Sequence, residues 1–187
     1  IVERPEVVTR VPSPKLGRRL PDFLTQRDAQ KLIEAPTTVQ PPRRETEQTV
    51  ARRGQTVALA LRDRALLELT YGSGLRVAEV STLDLDGIDL NRRIARVWGK
   101  RSKQREVVFG EPCQDALETY LLDARPVLLA NLKSRAGTPA FFLNARGGRL
   151  TTRGIELLLK KWVMLVDLPP NVHPHTLRHS FATHLLD

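Results

Sequence analysis

Cysteine, tyrosine and tryptophan are scarce in this sequence, which has one Cys, two Tyr and two Trp among its 187 residues. The single Cys113 excludes an internal disulfide. No secretory signal precedes the first charged residues, so both features favour a protein of the reducing cytoplasm.

Long apolar runs are also missing. No stretch approaches the ~20 residues needed to span a bilayer, and no amphipathic segment is fringed by lysines as in a membrane-surface helix. Hydrophobic residues still make up 41% of the chain, enough to bury a core. We therefore expect a globular protein that does not bind membranes.

Acidic residues are too few to balance the basic ones. Thirty Lys and Arg face twenty-one Asp and Glu, which leaves a net charge of +9, and such an excess indicates an anionic partner, most often nucleic acid. Twenty-three of the thirty cations are arginine, whose planar fork binds phosphate oxygens in pairs. A GC-rich genome or a warm habitat would explain the composition equally well.

Apolar spacing predicts a mainly helical chain. Residues 1–20, with three prolines and no periodicity, are typical of an extended linker, and residues 36–56 are typical of a long surface loop. The predicted helices cover 26–35 with Thr25 as cap, 57–71, a short segment with Val77 and Val80, one from Pro112, one after Thr151 or Thr152, and one from Pro174.

Three brief runs have strand character, namely "LDLDGIDL", "RIARVW" and "REVVF", and a buried extended piece "AFFLNARGGR" follows later. The runs predict a small antiparallel sheet. The expected fold class is therefore α+β, mainly α with a three-stranded antiparallel sheet.

A first basic cluster surrounds Arg76, which follows Gly72 and Gly74 at a chain reversal into a helix. Free backbone N–H groups at such a turn favour an anion, and an arginine adds a bidentate clamp. The alternative is that Arg76 only pairs with Glu79 one turn later.

A second cluster runs from Arg92 to Arg105 and holds seven cations and no acid. The like charges of such a hairpin repel one another, so the hairpin is favoured when an anion binds beside it. The alternative is a solvated turn whose lysines only prevent edge-to-edge strand pairing.

The third cluster is "HPHTLRHSFATHLLD", in which His175, Arg178 and His179 share one side of the helix predicted from Pro174. The surrounding apolar residues predict a helix buried nearly all round, where Arg178 needs a carboxylate or a ligand anion. The two histidines as metal ligands are an alternative that Arg178 between them opposes. We interpret His179 as a satisfied core residue.

The segments "YGSGLRVAEV", "GKRSKQREVVF" and "HPHTLRHSFATHLL", in this order, resemble the tyrosine recombinase family of phage integrases and Xer-type recombinases. The resemblance runs from about residue 20 to the end, and the last segment is the most specific. It implies the catalytic-domain fold of that family and double-stranded DNA as partner. It also implies strand cleavage and rejoining through a 3′-phosphotyrosine, without metal, ATP or other cofactor.

The motif match implies four catalytic residues. Arg76 and Arg178 match the arginines that clamp the scissile phosphate, and His175 matches the histidine that handles the proton of the nucleophile. Lys100 matches the lysine that protonates the leaving 5′-oxygen. Where the family commonly has glycine, Arg101 follows that lysine, so Lys103 stays open as the alternative acid.

The same match gives Lys103 and Arg105, beside Arg101, as residues that grip the DNA backbone. Glu79 is implied as support for Arg76, and His179 is a further supporting candidate.

In the family, another His or Trp and the nucleophilic tyrosine lie downstream of the position of Asp187. We therefore expect residues 21–187 to form a catalytic domain that is incomplete at its C-terminus, after a linker at 1–20. Tyr71 and Tyr120 both lie on apolar helix faces, so neither is expected to be the nucleophile. Residues 1–187 should bind DNA as an inactive monomer, whereas the longer parent should act as a tetramer on paired sites.

The competing hypothesis is a basic DNA- or RNA-binding module without catalytic activity. A metal-dependent nuclease is disfavoured because the sequence lacks the carboxylate cluster that such a site needs.

Overall fold

The structure is a computed structural model that describes residues 23–38, 49–99, 104–133 and 137–186, without the side chains of 49–52. Helices dominate, and the predicted α+β class is confirmed. The helices are α1 (Gln26–Thr38), α2 (Thr49–Ser73), α3 (Val77–Thr82), α4 (Glu111–Thr119), α5 (Arg125–Leu129), α6 (Thr152–Leu165) and α7 (Pro174–His184).

Helix α1 begins as predicted, since the Thr25 hydroxyl accepts a hydrogen bond from the Asp28 backbone N–H (3.1 Å). The predicted end at residue 35 is wrong, because the helix continues through Pro36. Pro36 lacks the N–H that would bond to the Leu32 carbonyl. In the same last turn, the hydroxyls of Thr37 and Thr38 donate to the Glu34 carbonyl.

Helix α2 forms the centre of the fold and packs against α1, α4, α5 and α7. Its buried residues include Leu66, Leu67 and Leu69. It begins at Thr49, so the predicted loop over 36–56 is wrong at both ends; residues 39–48 lie outside the described residues. The early turns hold few apolar residues, and contacts elsewhere support them, such as the Gln55 side chain donating to the Ala145 carbonyl (2.9 Å).

The sheet is antiparallel with strands β1 (Ile88–Asp89), β2 (Ile94–Trp98) and β3 (Gln104–Val108) in that order. Strands β2 and β3 pair from Ile94 with Val108 to Trp98 with Gln104. This confirms the predicted three-stranded sheet.

Helices α4 and α5 are joined by one wide π-helical turn, Tyr120–Ala124. Pro126 follows this turn; it cannot donate a backbone hydrogen bond and its ring crowds the preceding turn, which accounts for the local widening. Inside the turn, the buried Tyr120 hydroxyl donates to the Phe141 carbonyl (2.9 Å) and accepts from the Leu143 N–H (3.1 Å). The predicted extended piece is therefore held in the core by a tyrosine.

Helix α6 begins after Thr151, whose hydroxyl accepts from the Gly154 N–H, so Thr151 is the cap of the two predicted candidates. Its Trp162 indole N–H donates to the buried Asp63 carboxylate of α2 (2.8 Å). Asp63 also accepts from its neighbour Arg62, so α6 is fixed to the central helix by a buried polar network.

Helix α7 packs its Leu177 side against the core, and its buried Ser180 hydroxyl accepts from the Leu24 N–H (2.8 Å). The expectation that α7 is buried nearly all round is wrong, because His175, His179 and Ala182 are exposed within the helix. Leu185 and Leu186, just after the helix, are also 71% and 87% exposed. Apolar identity alone does not determine what covers a side chain.

The turn between α2 and α3 approaches α7 closely at Gly74. Its φ is +59°, and a Cβ atom at this position would lie 2.5 Å from the Phe181 ring. Both the backbone conformation and the packing therefore require glycine.

In the described part of the chain, no helix combines the length and the apolar character that crossing a bilayer requires.

We predict that Gly74→Ala lowers the free energy of unfolding by roughly 2–4 kcal/mol, from left-handed backbone strain plus overpacking against Phe181. Urea denaturation measures the change. The matched control is Gly54→Ala on the exposed side of α2, where a Cβ meets nothing within 4 Å and should stabilise the helix slightly. Equal stability of the two variants would contradict the close approach of α7.

Candidate active site

A cavity of about 900 Å³ opens between α7, the α2–α3 turn and strand β3. Basic and imidazole side chains from two separate segments line it, together with the turn residues Ser73 and Gly74. These side chains are Arg105, His173, His175, Arg178 and His179.

Arg178 reaches the cavity from the second turn of α7 and is half-buried. Its Nη1 donates to the Gly74 carbonyl, 104 residues earlier in the chain. The sequence predicts a carboxylate or a ligand anion beside Arg178, and the structure shows a backbone carbonyl in that place. Among the described residues no carboxylate pairs with Arg178, so its positive charge is available to an anion in the cavity.

Arg76, at the start of α3, does not line the cavity but is linked to it through Glu79. The buried Glu79 carboxylate accepts from the Arg76 backbone N–H (2.9 Å) and from Arg76 Nη1 (3.2 Å). The pairing that was the alternative for Arg76 is therefore present. The Arg76 side chain is nevertheless 55% exposed, which leaves it accessible to a ligand.

Arg105 completes this network from strand β3. Its two terminal nitrogens donate to the two Glu79 oxygens at 2.7 and 2.9 Å, a bidentate ion pair. Burial alone would raise the pKa of Glu79, but hydrogen bonds from Arg105 and Arg76 outweigh it and hold the pKa below its usual value. The same pair raises the pKa of Arg105, so both groups stay ionised at neutral pH.

His175 lies exposed in the first turn of α7 and shares the cavity with Arg178. His179 is also exposed, with its ring edge-on to Phe23 at 6.2 Å between centroids. The interpretation of His179 as a satisfied core histidine is therefore wrong: it faces the cavity from the side of α7 that the core does not cover.

Lys100, Arg101 and Lys103 fall outside the described residues. The flanking pair Trp98 and Gln104 is in register at the end of the β2–β3 ladder.

The two tyrosines are both engaged elsewhere. Burial raises the pKa of Tyr120 to about 12, and its hydroxyl is bonded inside the core. The Tyr71 hydroxyl is bonded to His184 Nδ1 (2.9 Å), and burial together with nearby Glu68 raises its pKa as well. Neither residue lines the cavity.

Within the residues described, no group of three or more His, Cys, Asp or Glu side chains is placed to hold a metal ion. The cavity offers cationic and imidazole groups instead, which are suited to an anion.

The cavity residues that the sequence analysis did not identify include Asn171 and His173. His173 begins the quoted motif, but it precedes the helix and breaks the three-and-four spacing that identified His175, Arg178 and His179. A signal was present, because residues with a side-chain acceptor are common immediately before a helix-opening proline.

A family model described as the phage integrase family matches residues 22–187. Tyrosine recombinase XerC of Pelotomaculum thermopropionicum is 47% identical over 95% of this chain and 53% of its own length. Tyrosine recombinase XerD of Corynebacterium glutamicum is 40% identical over 97% of this chain and 54% of its own length.

Among solved structures, the XerA recombinase superposes with a TM-score of 0.67 at 26% identity, covering 89% of this chain and 51% of its own. XerH bound to palindromic difH substrate in a post-cleavage complex gives 0.67 at 21% identity, covering 90% of this chain and 43% of its own, a likeness of fold alone. The chain thus spans about half the length of the curated relatives it matches. Since the family match covers nearly the whole chain and its relatives reach 47% identity, the chain belongs to the phage integrase family of tyrosine recombinases.

Proposed function

We propose that this chain binds the backbone of double-stranded DNA and holds a scissile phosphodiester in the cavity between α7, the α2–α3 turn and β3. We further propose that a protein containing it recombines DNA site-specifically by breaking and rejoining strands. One observation carries the proposal: Arg178 and His175 of α7 line the same cavity as Arg105 of β3. The α2–α3 turn, which leads to Arg76, also lines this cavity and is bonded to Arg178. These groups are distant in sequence and share one open cavity.

The two arginines would stabilise the phosphate as it becomes pentacoordinate. Arg178 has no carboxylate partner among the described residues and is anchored by a neutral carbonyl, so its charge is not cancelled before DNA binds. The Arg76 side chain is exposed, and its Nη1 donates to the Glu79 carboxylate. Fixed cations of this kind favour the extra negative charge of the transition state.

Proton transfer accompanies each step. When a tyrosine oxygen attacks phosphorus, His175 takes the phenolic proton, the bond from phosphorus to the 5′-oxygen breaks, and Lys100 donates a proton to that oxygen. Rejoining is the reverse, with the 5′-hydroxyl as nucleophile and the tyrosine as leaving group. Lys103 is the alternative donor.

Glu79 and Arg105 would act by positioning. Glu79 bonds both to Arg76, immediately before α3, and to Arg105 of β3, so β3 is tied to the first proposed phosphate clamp. Two of the five N–H donors of Arg105 are engaged with Glu79, so its predicted grip on DNA would use its charge or its remaining N–H groups.

Structural neighbours support DNA as the partner, since XerH is described as bound to its difH substrate before and after cleavage. For this protein, a tetramer on paired sites and a monomer of residues 1–187 in solution remain predictions.

We predict that the chain binds a short mixed-sequence DNA duplex with an affinity that falls as salt rises, because phosphate contacts release counterions. Arg178→Ala should weaken binding and reduce the slope of log K against log salt by about 0.9. Fluorescence anisotropy across roughly 50–200 mM salt measures both quantities.

The matched control is Arg146→Ala, which removes one exposed cation beside Ala145, where Gln55 binds. Arg146 is distant from the cavity, because Gln55 lies about 27 Å along α2 from the cavity residue Ser73, at 1.5 Å per residue. An equal loss in both variants would contradict a specific role for Arg178. Binding that is insensitive to salt would contradict the DNA proposal and the alternative of a non-catalytic basic module alike.

We predict that residues 1–187 form no covalent adduct with a nicked suicide DNA substrate, because the Tyr71 and Tyr120 hydroxyls are bonded away from the cavity. Denaturing gel electrophoresis detects such an adduct. If one forms, Tyr71→Phe and Tyr120→Phe identify the nucleophile, and the proposal that neither tyrosine attacks DNA is wrong.

Strand exchange by a full-length relative carrying these residues separates the enzyme from a pure binding module. In a recombinase, His175→Ala should abolish exchange with DNA binding nearly intact. Loss of binding in proportion to loss of exchange would favour the non-catalytic alternative.

We predict that Glu79→Gln lowers the free energy of unfolding at pH 7 by about 1–3 kcal/mol, because charged hydrogen bonds to Arg105 and Arg76 are lost. The folded-state pKa of Glu79 lies below its ordinary value of 4.5, so its contribution to stability is complete above pH 4.5 and is lost progressively as the pH falls from there through the folded-state pKa. Urea denaturation at pH 7 and at pH 3.5 should show a smaller difference between wild type and variant at the lower pH. A difference that grows on acidification would contradict the ion pair.

A further inference from the structure

His173 occupies the position immediately before α7 and lines the same cavity as Arg178 and His175. Its backbone is extended, with φ −140° and ψ 174°, and its side chain caps the helix. The ring Nδ1 accepts from the Thr176 backbone N–H at 3.2 Å and lies 3.1 Å from the Thr176 hydroxyl.

This contact determines where the ring carries its proton. A backbone N–H can only donate, so Nδ1 must present a lone pair to Thr176. In the neutral imidazole the proton then resides on Nε2. The helix cap thus fixes the tautomer in which Nε2 is a hydrogen-bond donor.

The Nε2–H group has no hydrogen-bond partner among the described residues. The ring is exposed and stands nearly perpendicular to that of His175, with centroids 5.9 Å apart and 82° between planes. The other side chains at the cavity include Arg105 and Arg178. A donor in such surroundings is suited to an oxygen anion.

We propose that His173 binds DNA through Nε2–H, which donates to a phosphate oxygen of the strand held in the cavity. This inference rests on the proposed DNA binding and adds a residue to it. Capping the helix needs only an acceptor at Nδ1, and the second nitrogen is available for the ligand. His173 supplies a neutral donor beside the cationic Arg178.

Two substitutions separate the cap from the donor. His173→Ser keeps an acceptor for the Thr176 N–H, since serine is a favoured cap, but has no group that replaces Nε2–H. His173→Ala removes both functions. Anisotropy titration with the same mixed-sequence duplex, at a pH of 8 where an ordinary imidazole is uncharged, compares each variant with wild type, and thermal melting checks the fold.

We expect His173→Ser to melt like wild type and to bind DNA about tenfold more weakly, because a hydrogen bond to a charged phosphate is lost. The salt slope should stay that of wild type, since no charge is removed. His173→Ala should bind as weakly or more weakly and should also melt earlier.

The overturning result is a His173→Ser variant that binds DNA as wild type does, which would make His173 a helix cap only. A reduced salt slope in that variant would also overturn the proposal, because it would mean that the ring binds as a cation. Arg178→Ala distinguishes failure of the His173 proposal from failure of the proposed DNA binding. If it weakens binding and His173→Ser does not, only the role of His173 fails, and if wild type does not bind DNA at all, both fail.

A spectroscopic measurement tests the donor directly. Two-bond ¹H–¹⁵N correlation spectra of the histidine rings, with inorganic phosphate as the titrant, should show the Nε2–H tautomer for His173 and a phosphate-dependent shift of its Nε2 resonance. His173→Ser identifies the signal by its disappearance. A tautomer protonated at Nδ1, or a resonance that phosphate leaves unchanged, would contradict the proposal.

Discussion

The close approach of α7 to the turn after α2 is the constraint on which the rest of the site depends. Gly74 adopts a left-handed conformation and leaves room for the Phe181 ring, and its carbonyl accepts from Arg178. A side chain at this position would separate the two elements. Because the same turn leads directly into Arg76, one backbone contact sets the spacing between both candidate phosphate clamps.

The electrostatics of the site depend on the Glu79 carboxylate, which accepts two side-chain hydrogen bonds from Arg105 and one from Arg76. Glu79 is nearly buried and binds two arginines, which fixes Arg105 and orients Arg76 without neutralising both. Arg178 is held by a carbonyl dipole, which orients a guanidinium but leaves its full charge. An anion that enters the cavity therefore gains from charge that the protein has already positioned and has not cancelled.

Sequence alone predicted the parts of the fold that rest on local regularity. The cap at Thr25, the start of α7 at Pro174 and the antiparallel β2–β3 pair follow from spacing and from cap or turn residues. The first turns of α2 escaped prediction because they carry no apolar period. The partner of Arg178 could not be predicted, since backbone carbonyls look alike in every sequence and only the fold selects Gly74.

The contrast between His179 and His173 shows why the candidate site was only partly predictable. Both line the cavity, yet helical spacing with apolar neighbours led to a core assignment for His179, which the structure places in solvent. His173 lies outside the helix, where periodicity gives no information, and its cap contact with Thr176 orients its ring. Helical spacing in the sequence identifies the residues on one face of a helix. The residue before a helix is identified by its ability to accept a capping hydrogen bond. Here, both kinds of residue line the one cavity that we propose to bind an anion.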